Sequence, residues 1–227
     1  MSTNEILKQR DGNSRRHASI LNGGFQEYAK IFFQAEKLGL PMTLHCLPLA
    51  YLFHDGQKRK TGEPYVTHPL RVACLLLDAG IREDVILASA LLHDVLEDCS
   101  EWVSAATLES TYRVDREVVE VVNILTKRKV LTTDEYYSGI SCSPRAALVK
   151  IADRIHNLNT MKNAFSEAKM WEYIEETEEF VIPLCNQVCC QHPEYMFSAW
   201  LLKKQIQAIV RSSEKGFGQT STQMVAV

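Results

Sequence analysis

The segment ALLHDVLED, residues 90–98, ends an apolar run with four ionisable side chains. His93 and Glu97 are four residues apart. The same spacing separates Asp94 from Asp98, so a helix would stack the four groups in two adjacent pairs. A single histidine–aspartate pair is more often a hydrogen-bonded core histidine or a solvated helix end. The chemistry of this segment therefore depends on the ionisable groups that accompany it.

Two residues elsewhere in the chain add further ionisable groups. His68 lies in PYVTHPLRV, just before a helical pattern, and Asp153 lies in the apolar helical segment VKIADRIHNLNTM. Burying unpaired carboxylates is costly, and a divalent cation would relieve the cost. Two imidazoles and two carboxylates suit manganese, iron or zinc, and leave coordination positions for water and a substrate oxygen. The sequence therefore predicts a catalytic metal site formed by His68, His93, Asp94 and Asp153.

Acidic residues one turn beyond the predicted ligands could activate or orient a metal-bound water. A water made more acidic by the ion could attack phosphorus, and Glu97 or Asp98 could take its proton or orient it. Two adjacent residues of QKRKTGEPYVTH supply cations. Arg59 offers a planar fork for a base or an oxyanion, and Lys60 offers a point charge for phosphate. These residues together predict hydrolysis of a phosphate ester or anhydride.

The elements that must position these residues are predicted to be helices. Apolar residues recur at helical spacing through most of the chain, and alternating strand patterns are almost absent, so the fold class should be all-α. Two polar segments, 57–68 and 127–139, are expected to be irregular loops. Lys127, Arg128 and Lys129 could attract phosphates or belong to an ordinary charged loop. The predicted helices span 25–38, 43–54, 69–80, 82–98, 115–126, 143–163, 167–190 and 193–212.

Composition bounds the class of protein. The 227 residues are 46% apolar and carry a formal charge of −3, which does not favour a nucleic-acid polymer as partner. No signal peptide or spanning segment is evident, and seven scattered cysteines do not suggest disulfides, so a cytoplasmic location is expected. A zinc site at Cys185, Cys189 and His192 is less favoured than core packing.

The ends of the chain are polar. Residues 1–24 finish in Gly23–Gly24, and residues 213–227 are rich in Ser, Thr, Gly and Gln. Both are expected to be flexible tails around a single domain at 25–212, since polar termini lack the apolar surface that would tie them down.

The ordered set of His68, His93–Asp94 and Asp153 resembles the H…HD…D signature of the HD phosphohydrolase superfamily. More narrowly, HDGQKRKTGEPYVTHPLRVA, ALLHDVLEDC and VKIADRIHNLNTM resemble the hydrolase domain of RelA/SpoT-type alarmone enzymes. The resemblance covers roughly residues 26–200, which is far more than a chance motif match. It implies an all-α HD-domain helical bundle.

The resemblance also implies an activity and residue roles. The family removes the 3′-pyrophosphate of guanosine tetra- and pentaphosphate, the alarmones of the stringent response, usually with Mn²⁺. The products are GDP or GTP and pyrophosphate. Thr61 stands where serine is commoner in the family. The roles implied are metal ligands at His68, His93, Asp94 and Asp153; water activation at Glu97 and Asp98; nucleotide contacts at Arg59, Lys60 and Thr61; and nucleoside contacts at Asn157 and Thr160.

Alternatives remain open from the residues alone. The same metal set could serve an HD phosphohydrolase of another nucleotide, such as NADPH, an adenosine alarmone or a nucleotide monoester. A non-enzymatic module is disfavoured because all four ligands and both acids are present. Since the chain carries no synthetase region, the resemblance implies a stand-alone small alarmone hydrolase.

Overall fold

The computed structural model describes the backbone of residues 23–223 and the side chains of residues 23–213. Short 3-10 turns span Met161–Asn163 and Pro193–Tyr195, and a π-helical turn spans Thr177–Val181. The isolated bridge between Lys58 and Pro64 is the β-type pairing found within this described part. The helices are α1 (Phe25–Leu38), α2 (Pro41–Phe53), α3 (Thr67–Asp78), α4 (Asp84–Leu92), α5 (Val95–Asp98), α6 (Ala105–Ser110), α7 (Arg116–Leu125), α8 (Thr133–Ser141), α9 (Pro144–Thr160), α10 (Glu167–Glu176), α11 (Ile182–Gln191) and α12 (Met196–Gln223).

Three central helices, α3, α4 and α9, form the frame of the site. Helix α4 is apolar on every side, and its residues from Ile86 to Leu92 are all buried, as expected for a helix surrounded by others. Helix α3 packs against both α4 and α9. The buried apolar side chains form one cluster from Ile31 to Val210. The predicted all-α class is confirmed.

The predicted helix 82–98 is wrong at one point, because it is interrupted at His93 and Asp94. Helix α4 ends at Leu92, Asp94 has a ψ of −8°, and α5 is a separate short turn. The Ala90 carbonyl accepts the His93 Nδ1–H at 2.8 Å, so a side chain uses an acceptor of the last turn. The two stacked pairs expected on one continuous helix are therefore replaced by a bend that turns both residues inward.

The predicted loop 127–139 is wrong in its second half, where α8 begins at Thr133. Thr132 accepts the Glu135 amide, and the Glu135 carboxylate accepts the Thr132 amide, which forms a capping box. A further short helix, α6, lies in a segment for which no helix was predicted; the Ser104 side chain caps it by accepting the Thr107 amide.

The boundaries of the folded part also differ. Gly23 and Gly24, assigned to the N-terminal tail, pack against the body: the Tyr51 hydroxyl donates to the Gly23 carbonyl at 2.9 Å. Gly24 has a left-handed φ of 73°, and an added Cβ would lie 2.6 Å from Leu70. Residues 1–22 lie outside the described part, as do 224–227. At the other end, α12 runs to Gln223, past residue 212.

The cysteines of the disfavoured zinc site lie against other parts of the protein. Cys185 is buried in α11, and the Cys189 thiol lies 3.6 Å from the Met196 carbonyl, so core contacts account for these thiols. No helix within residues 23–223 combines the length and apolarity needed to cross a bilayer.

Arg154, next to the predicted ligand Asp153 on α9, is a buried cation that ties three helices together. It is 1% exposed, and its guanidinium donates to the Tyr137 hydroxyl at 2.7 Å and to the Glu176 carboxylate. It also stacks 3.8 Å from the Tyr173 ring centroid. Because its partners come from α8 and α10, Arg154 holds the wall of the site together.

Arg154→Met should lower the free energy of unfolding by about 3 kcal/mol, because it removes a buried cation together with its hydrogen bonds to Tyr137 and to the half-buried Glu176 carboxylate. Urea denaturation of the purified protein measures this change. Arg116→Met is the matched control, since the Arg116–Glu120 pair is exposed and should cost less than about 1 kcal/mol. Equal losses in the two variants would contradict the structural role of Arg154.

Candidate active site

The four predicted metal ligands come from three parts of the frame. His68 lies in the first turn of α3, His93 and Asp94 lie at the bend between α4 and α5, and Asp153 lies in the middle of α9. The two histidines and Asp153 are each no more than 5% exposed. Buried ionisable groups need partners, and these groups face one another across the helix junction.

The ligand atoms converge on one point. The Nε2 atoms of His68 and His93 are 3.1 Å apart. The Oδ2 atom of Asp94 lies 3.4 Å from His68 Nε2 and 3.3 Å from His93 Nε2. The Oδ1 atom of Asp153 lies 3.2 Å from His68 Nε2 and 3.8 Å from His93 Nε2. The structure thus clusters His68, His93 and Asp94, and it places the Asp153 carboxylate beside both histidines.

This donor set fits a divalent ion. The Ala90 carbonyl can only accept, so His93 carries its proton on Nδ1 and, when neutral, presents a lone pair on Nε2. A ligating histidine usually donates its other ring N–H to such a carbonyl. With both imidazoles neutral, four acceptor atoms would lie close together in a buried place, which is the arrangement that a cation stabilises.

The carboxylates are held in the form that binds cations. Burial favours neutral carboxyl groups, but the imidazoles of His93 and His68 lower the pKa of Asp94 below its ordinary value. For Asp153, burial is likewise outweighed, and the Lys150 ammonium together with the imidazoles holds its pKa well below the usual range. Burial lowers the pKa of His93, yet the Asp94 and Asp153 carboxylates raise it to about 9.

A ring of outer contacts orients the ligands. Lys150 Nζ lies 3.0 Å from Asp153 Oδ2, and Asn157 Nδ2 donates to Asp153 Oδ1 at 2.6 Å. The Tyr65 hydroxyl donates to Asp94 Oδ2 at 2.7 Å. Such contacts fix ring and carboxylate directions and influence affinity for the metal.

Glu97 and Asp98, the two acids predicted to activate or orient the water, differ in position. Glu97 lines the same cavity as the ligands, and its Oε2 accepts the Lys127 amide at 3.1 Å. Burial and the Asp94 charge raise the pKa of Glu97. Asp98 is absent from the described lining of this cavity and lies beside the Tyr65 hydroxyl; burial and Asp94 raise its pKa as well. Glu97 is therefore the acid that faces the ligand cluster.

The cavity above the ligand cluster has a volume of about 350 Å³ and is rich in cations and aromatic rings. Lys127, Lys150 and Lys169 line it together with Tyr136 and Tyr173. Lysine ammonium groups suit phosphate oxygens as point charges. A polyanionic ligand in this cavity would meet these positive side chains.

A second cavity of about 220 Å³ adjoins the first, and both are lined by Arg59, Tyr65 and Asn157. The Arg59 amide donates to the Glu63 carbonyl at 2.8 Å, in a turn that Gly62 closes with a left-handed φ of 86°. The Arg59 guanidinium donates to Asn157 Oδ1 at 2.9 Å. The predicted base-contacting segment therefore reaches across to α9.

The remaining predicted contact residues line this second cavity. Lys60, Thr61 and Thr160 surround it together with the Phe165 ring, and the Lys60 ammonium lies 5.3 Å from the centroid of that ring. The Thr160 hydroxyl already donates to the His156 carbonyl at 3.1 Å within α9. The cavity thus combines an aromatic face, cations and polar groups, which together can hold a nucleobase.

Several groups at the site were missed in the sequence. Lys150 was visible three residues before Asp153, at a spacing that places both on one helix face. Tyr65 and Phe165 gave no comparable signal, because their proximity to the site depends on how the loops fold back. His156 contacts His68 directly, with their Nδ1 atoms 2.7 Å apart.

The helical frame gathers two histidines and two aspartates in the order His, His–Asp, Asp. Residues 46–188 match the HD domain family, so the chain belongs to that family. The resemblance to RelA/SpoT-type enzymes is also confirmed, through the relatives described next.

Two curated relatives carry the name guanosine-3′,5′-bis(diphosphate) 3′-pyrophosphohydrolase. The Synechocystis protein, named with the qualifier "probable", is 34% identical over 158 residues, covering 63% of this chain and 20% of its own length. The Aquifex aeolicus protein is 34% identical over 158 residues, covering 68% of this chain and 21% of its own. The chain thus spans about a fifth of the length of these relatives.

A solved structure shares the fold. It is a metazoan ortholog of SpoT described as hydrolysing ppGpp, and it is 25% identical with a TM-score of 0.61. The match covers 75% of this chain and 94% of that one.

Proposed function

We propose that this protein is a metal-dependent pyrophosphohydrolase that removes the 3′-pyrophosphate of guanosine tetra- or pentaphosphate. The products would be GDP or GTP and pyrophosphate. The observation that carries the proposal is the pair of adjoining cavities, which offers a metal cluster beside a compartment suited to a base. The names of the relatives and of the structural neighbour support the same substrate.

The residues of the chain divide the work of the reaction. His68, His93, Asp94 and Asp153 would hold a divalent ion, which supplies an acidified water and neutralises phosphate charge. Glu97 would accept the proton of the attacking water, whose oxygen bonds to the phosphorus attached to the 3′ oxygen. The bond from that phosphorus to the 3′ oxygen breaks, and the 3′ oxygen gains a proton. Lys127 and Lys150 would stabilise the charge of the pyrophosphate as it leaves.

We further propose Mn²⁺ as the ion and the cytoplasm as the location. Mixed imidazole and carboxylate ligands suit manganese, and iron and zinc share that preference to different degrees. The proposed substrate and products belong to the guanine nucleotide pool of the cytoplasm. Metal analysis of the purified protein, followed by reconstitution with single metals, would distinguish these ions.

The direct test is pyrophosphate release from guanosine tetraphosphate, measured with added Mn²⁺ and again with a chelator. The expected result is equimolar GDP and pyrophosphate, lost on chelation. A nucleotide panel with NADPH, an adenosine alarmone and nucleotide monophosphates runs alongside. Hydrolysis of one of these without pyrophosphate release from guanosine tetraphosphate would reject the proposed substrate. It would favour the hypothesis of an HD phosphohydrolase that acts on another nucleotide.

Arg59→Ala should raise KM for guanosine tetraphosphate by about 10-fold or more, since Arg59 spans both cavities and offers a charged fork. Because Arg59 is connected to Asp153 through Asn157, the Mn²⁺ affinity should change much less than KM. Steady-state kinetics and a Mn²⁺ titration measure the two quantities. Lys58→Ala is the neighbouring control with a smaller expected effect, and a loss of Mn²⁺ binding in Arg59→Ala would contradict the role given to Arg59.

A further inference from the structure

A chain of ring nitrogens runs from the backbone of α4 through the ligand cluster to α9. The Ala90 carbonyl lies 2.8 Å from His93 Nδ1, and His93 Nε2 lies 3.1 Å from His68 Nε2. On the far side, His68 Nδ1 lies 2.7 Å from His156 Nδ1. Each contact shorter than about 3 Å between these atoms requires one donor and one acceptor. The proton position of His68 is therefore linked to that of His156, and the proton position of His93 to the Ala90 carbonyl.

Metal ligation selects one direction for these protons. A neutral histidine that binds through Nε2 must carry its proton on Nδ1. In His68 that proton then points at His156 Nδ1, which has to accept it, so His156 must carry its own proton on Nε2. The opposite arrangement, with His156 Nδ1 donating to His68, would place the His68 proton on Nε2 and block the ligand atom.

We propose that His156 is a positioning residue for the metal site, because its Nδ1 accepts the His68 Nδ1–H and thereby keeps His68 Nε2 free for the ion. This inference rests on the proposed function only in that both need a divalent ion at this site. It does not depend on which nucleotide is hydrolysed.

The packing around His156 argues against a purely structural role. His156 is 5% exposed, and its Nε2 atom is buried with no hydrogen-bond partner among the described residues. A buried N–H without a partner reduces stability, and an apolar side chain of similar size would avoid that cost. A residue needed only to fill space would gain from such a replacement, whereas a residue that orients His68 would not.

One substitution is therefore expected to act differently on folding and on metal binding. His156→Leu removes the acceptor and the unpartnered N–H together. The thermal midpoint of the chelator-treated variant should stay close to that of the parent protein, because the unpartnered ring nitrogen of His156 is replaced by that of His68. Its Mn²⁺ affinity should fall about 10- to 100-fold, which is the usual effect of removing an outer contact to a ligating histidine. Replacing a residue that serves only for packing would leave Mn²⁺ affinity close to that of the parent protein.

Two conservative variants isolate the acceptor atom. Asparagine can place its Oδ1 near the position of His156 Nδ1, whereas the longer glutamine side chain places its amide nearer the position of Nε2. His156→Asn should therefore retain more Mn²⁺ affinity than His156→Gln. Ile155→Val removes one methyl group from the neighbouring buried position. It should leave the Mn²⁺ affinity unchanged and serves as the packing control.

The closing experiment is a Mn²⁺ titration by calorimetry of the full chain and these four variants, at one pH and after chelator treatment. The expected order of affinity is parent equal to Ile155→Val, then His156→Asn, then His156→Gln and His156→Leu. Nitrogen-15 NMR of the Zn²⁺-loaded parent should show the His68 proton on Nδ1.

Three results would overturn the inference. One is parental Mn²⁺ affinity in His156→Leu, another is equal weakness of the Asn and Leu variants, and the third is a His68 proton on Nε2 in the Zn²⁺-loaded protein. A parent chain that binds Mn²⁺ but fails to hydrolyse guanosine tetraphosphate would reject the proposed function alone. A parent chain that binds no Mn²⁺ would reject both.

Discussion

Asp153→Asn should abolish guanosine tetraphosphate hydrolysis and reduce Mn²⁺ affinity more than about 100-fold, because removing an outer contact already costs 10- to 100-fold and Asp153 is an expected ligand. Its Oδ1 lies 3.2 Å from His68 Nε2, at the point where the ligand atoms meet. Asparagine keeps the size of the side chain and can still bond Asn157. It removes the negative charge that a cation needs. Calorimetric titration with Mn²⁺ and the pyrophosphate assay measure the two losses.

Asp153→Asn also disturbs Lys150, and this effect on folding has to be distinguished from the loss of a metal ligand. Lys150 is largely buried and lies 3.0 Å from Asp153 Oδ2, so its ammonium loses a charged partner. Circular dichroism and urea denaturation show whether the variant is folded. Asp78→Asn is the control for a broken lysine pair outside the site, since Lys30 contacts Asp78 at 2.6 Å on the surface. A folded Asp153→Asn protein with parental Mn²⁺ affinity would contradict the assignment of Asp153 as a ligand.

The convergence of the four predicted ligands could be expected from the sequence because residue type and local pattern agree. His68 lies at the start of a helix, His93–Asp94 lie at the end of another, and Asp153 lies on an apolar helix. Buried helices that carry ionisable groups have to turn them toward partners or toward an ion. The all-α class followed from the same periodicity and needed no knowledge of how the helices pack.

The bend at His93–Asp94 could not be predicted from the spacing of apolar residues. Apolar spacing runs through residues 82–98 without a break, and the interruption comes from a side chain that bonds the Ala90 carbonyl. Local competition of this kind depends on burial, which the pattern does not report. Helix α8 is a different case, because the Thr132–Glu135 capping box was readable in the sequence. Contacts such as Tyr65–Asp94 and His68–His156 arise only when distant segments pack together.

Glu97→Gln should leave Mn²⁺ affinity close to that of the parent and lower kcat by about 10²- to 10⁴-fold, the usual contribution of a positioned proton acceptor. Glu97 lines the cavity of the ligand cluster, and the Lys127 amide holds its carboxylate in place at 3.1 Å. Glutamine preserves that contact and the size of the side chain. It cannot accept the proton of the attacking water. Turnover and metal binding should therefore separate in this variant, whereas they fall together in Asp153→Asn.

The pH dependence of kcat provides a second readout for Glu97. Burial and the Asp94 charge raise its pKa, so the carboxyl stays protonated to a higher pH than an exposed glutamate does. A protonated carboxyl cannot act as the base. In the parent protein, kcat should rise with pH through the pKa of Glu97 and then level off. In Glu97→Gln that acidic limb should disappear from the residual activity, because the group that titrates is gone.

Asp98→Asn is the matched comparison, because Asp98 follows Glu97 in the same turn but lies beside Tyr65. A smaller loss of kcat is expected, with the acidic limb retained. The opposite ranking, with Asp98→Asn inactive and Glu97→Gln near parental, would transfer the role of proton acceptor to Asp98. A large loss of Mn²⁺ affinity in Glu97→Gln would instead make Glu97 part of the metal site. The two acids differ by one position in the chain, so the distinction rests on the direction that the bend at Asp94 gives to each side chain.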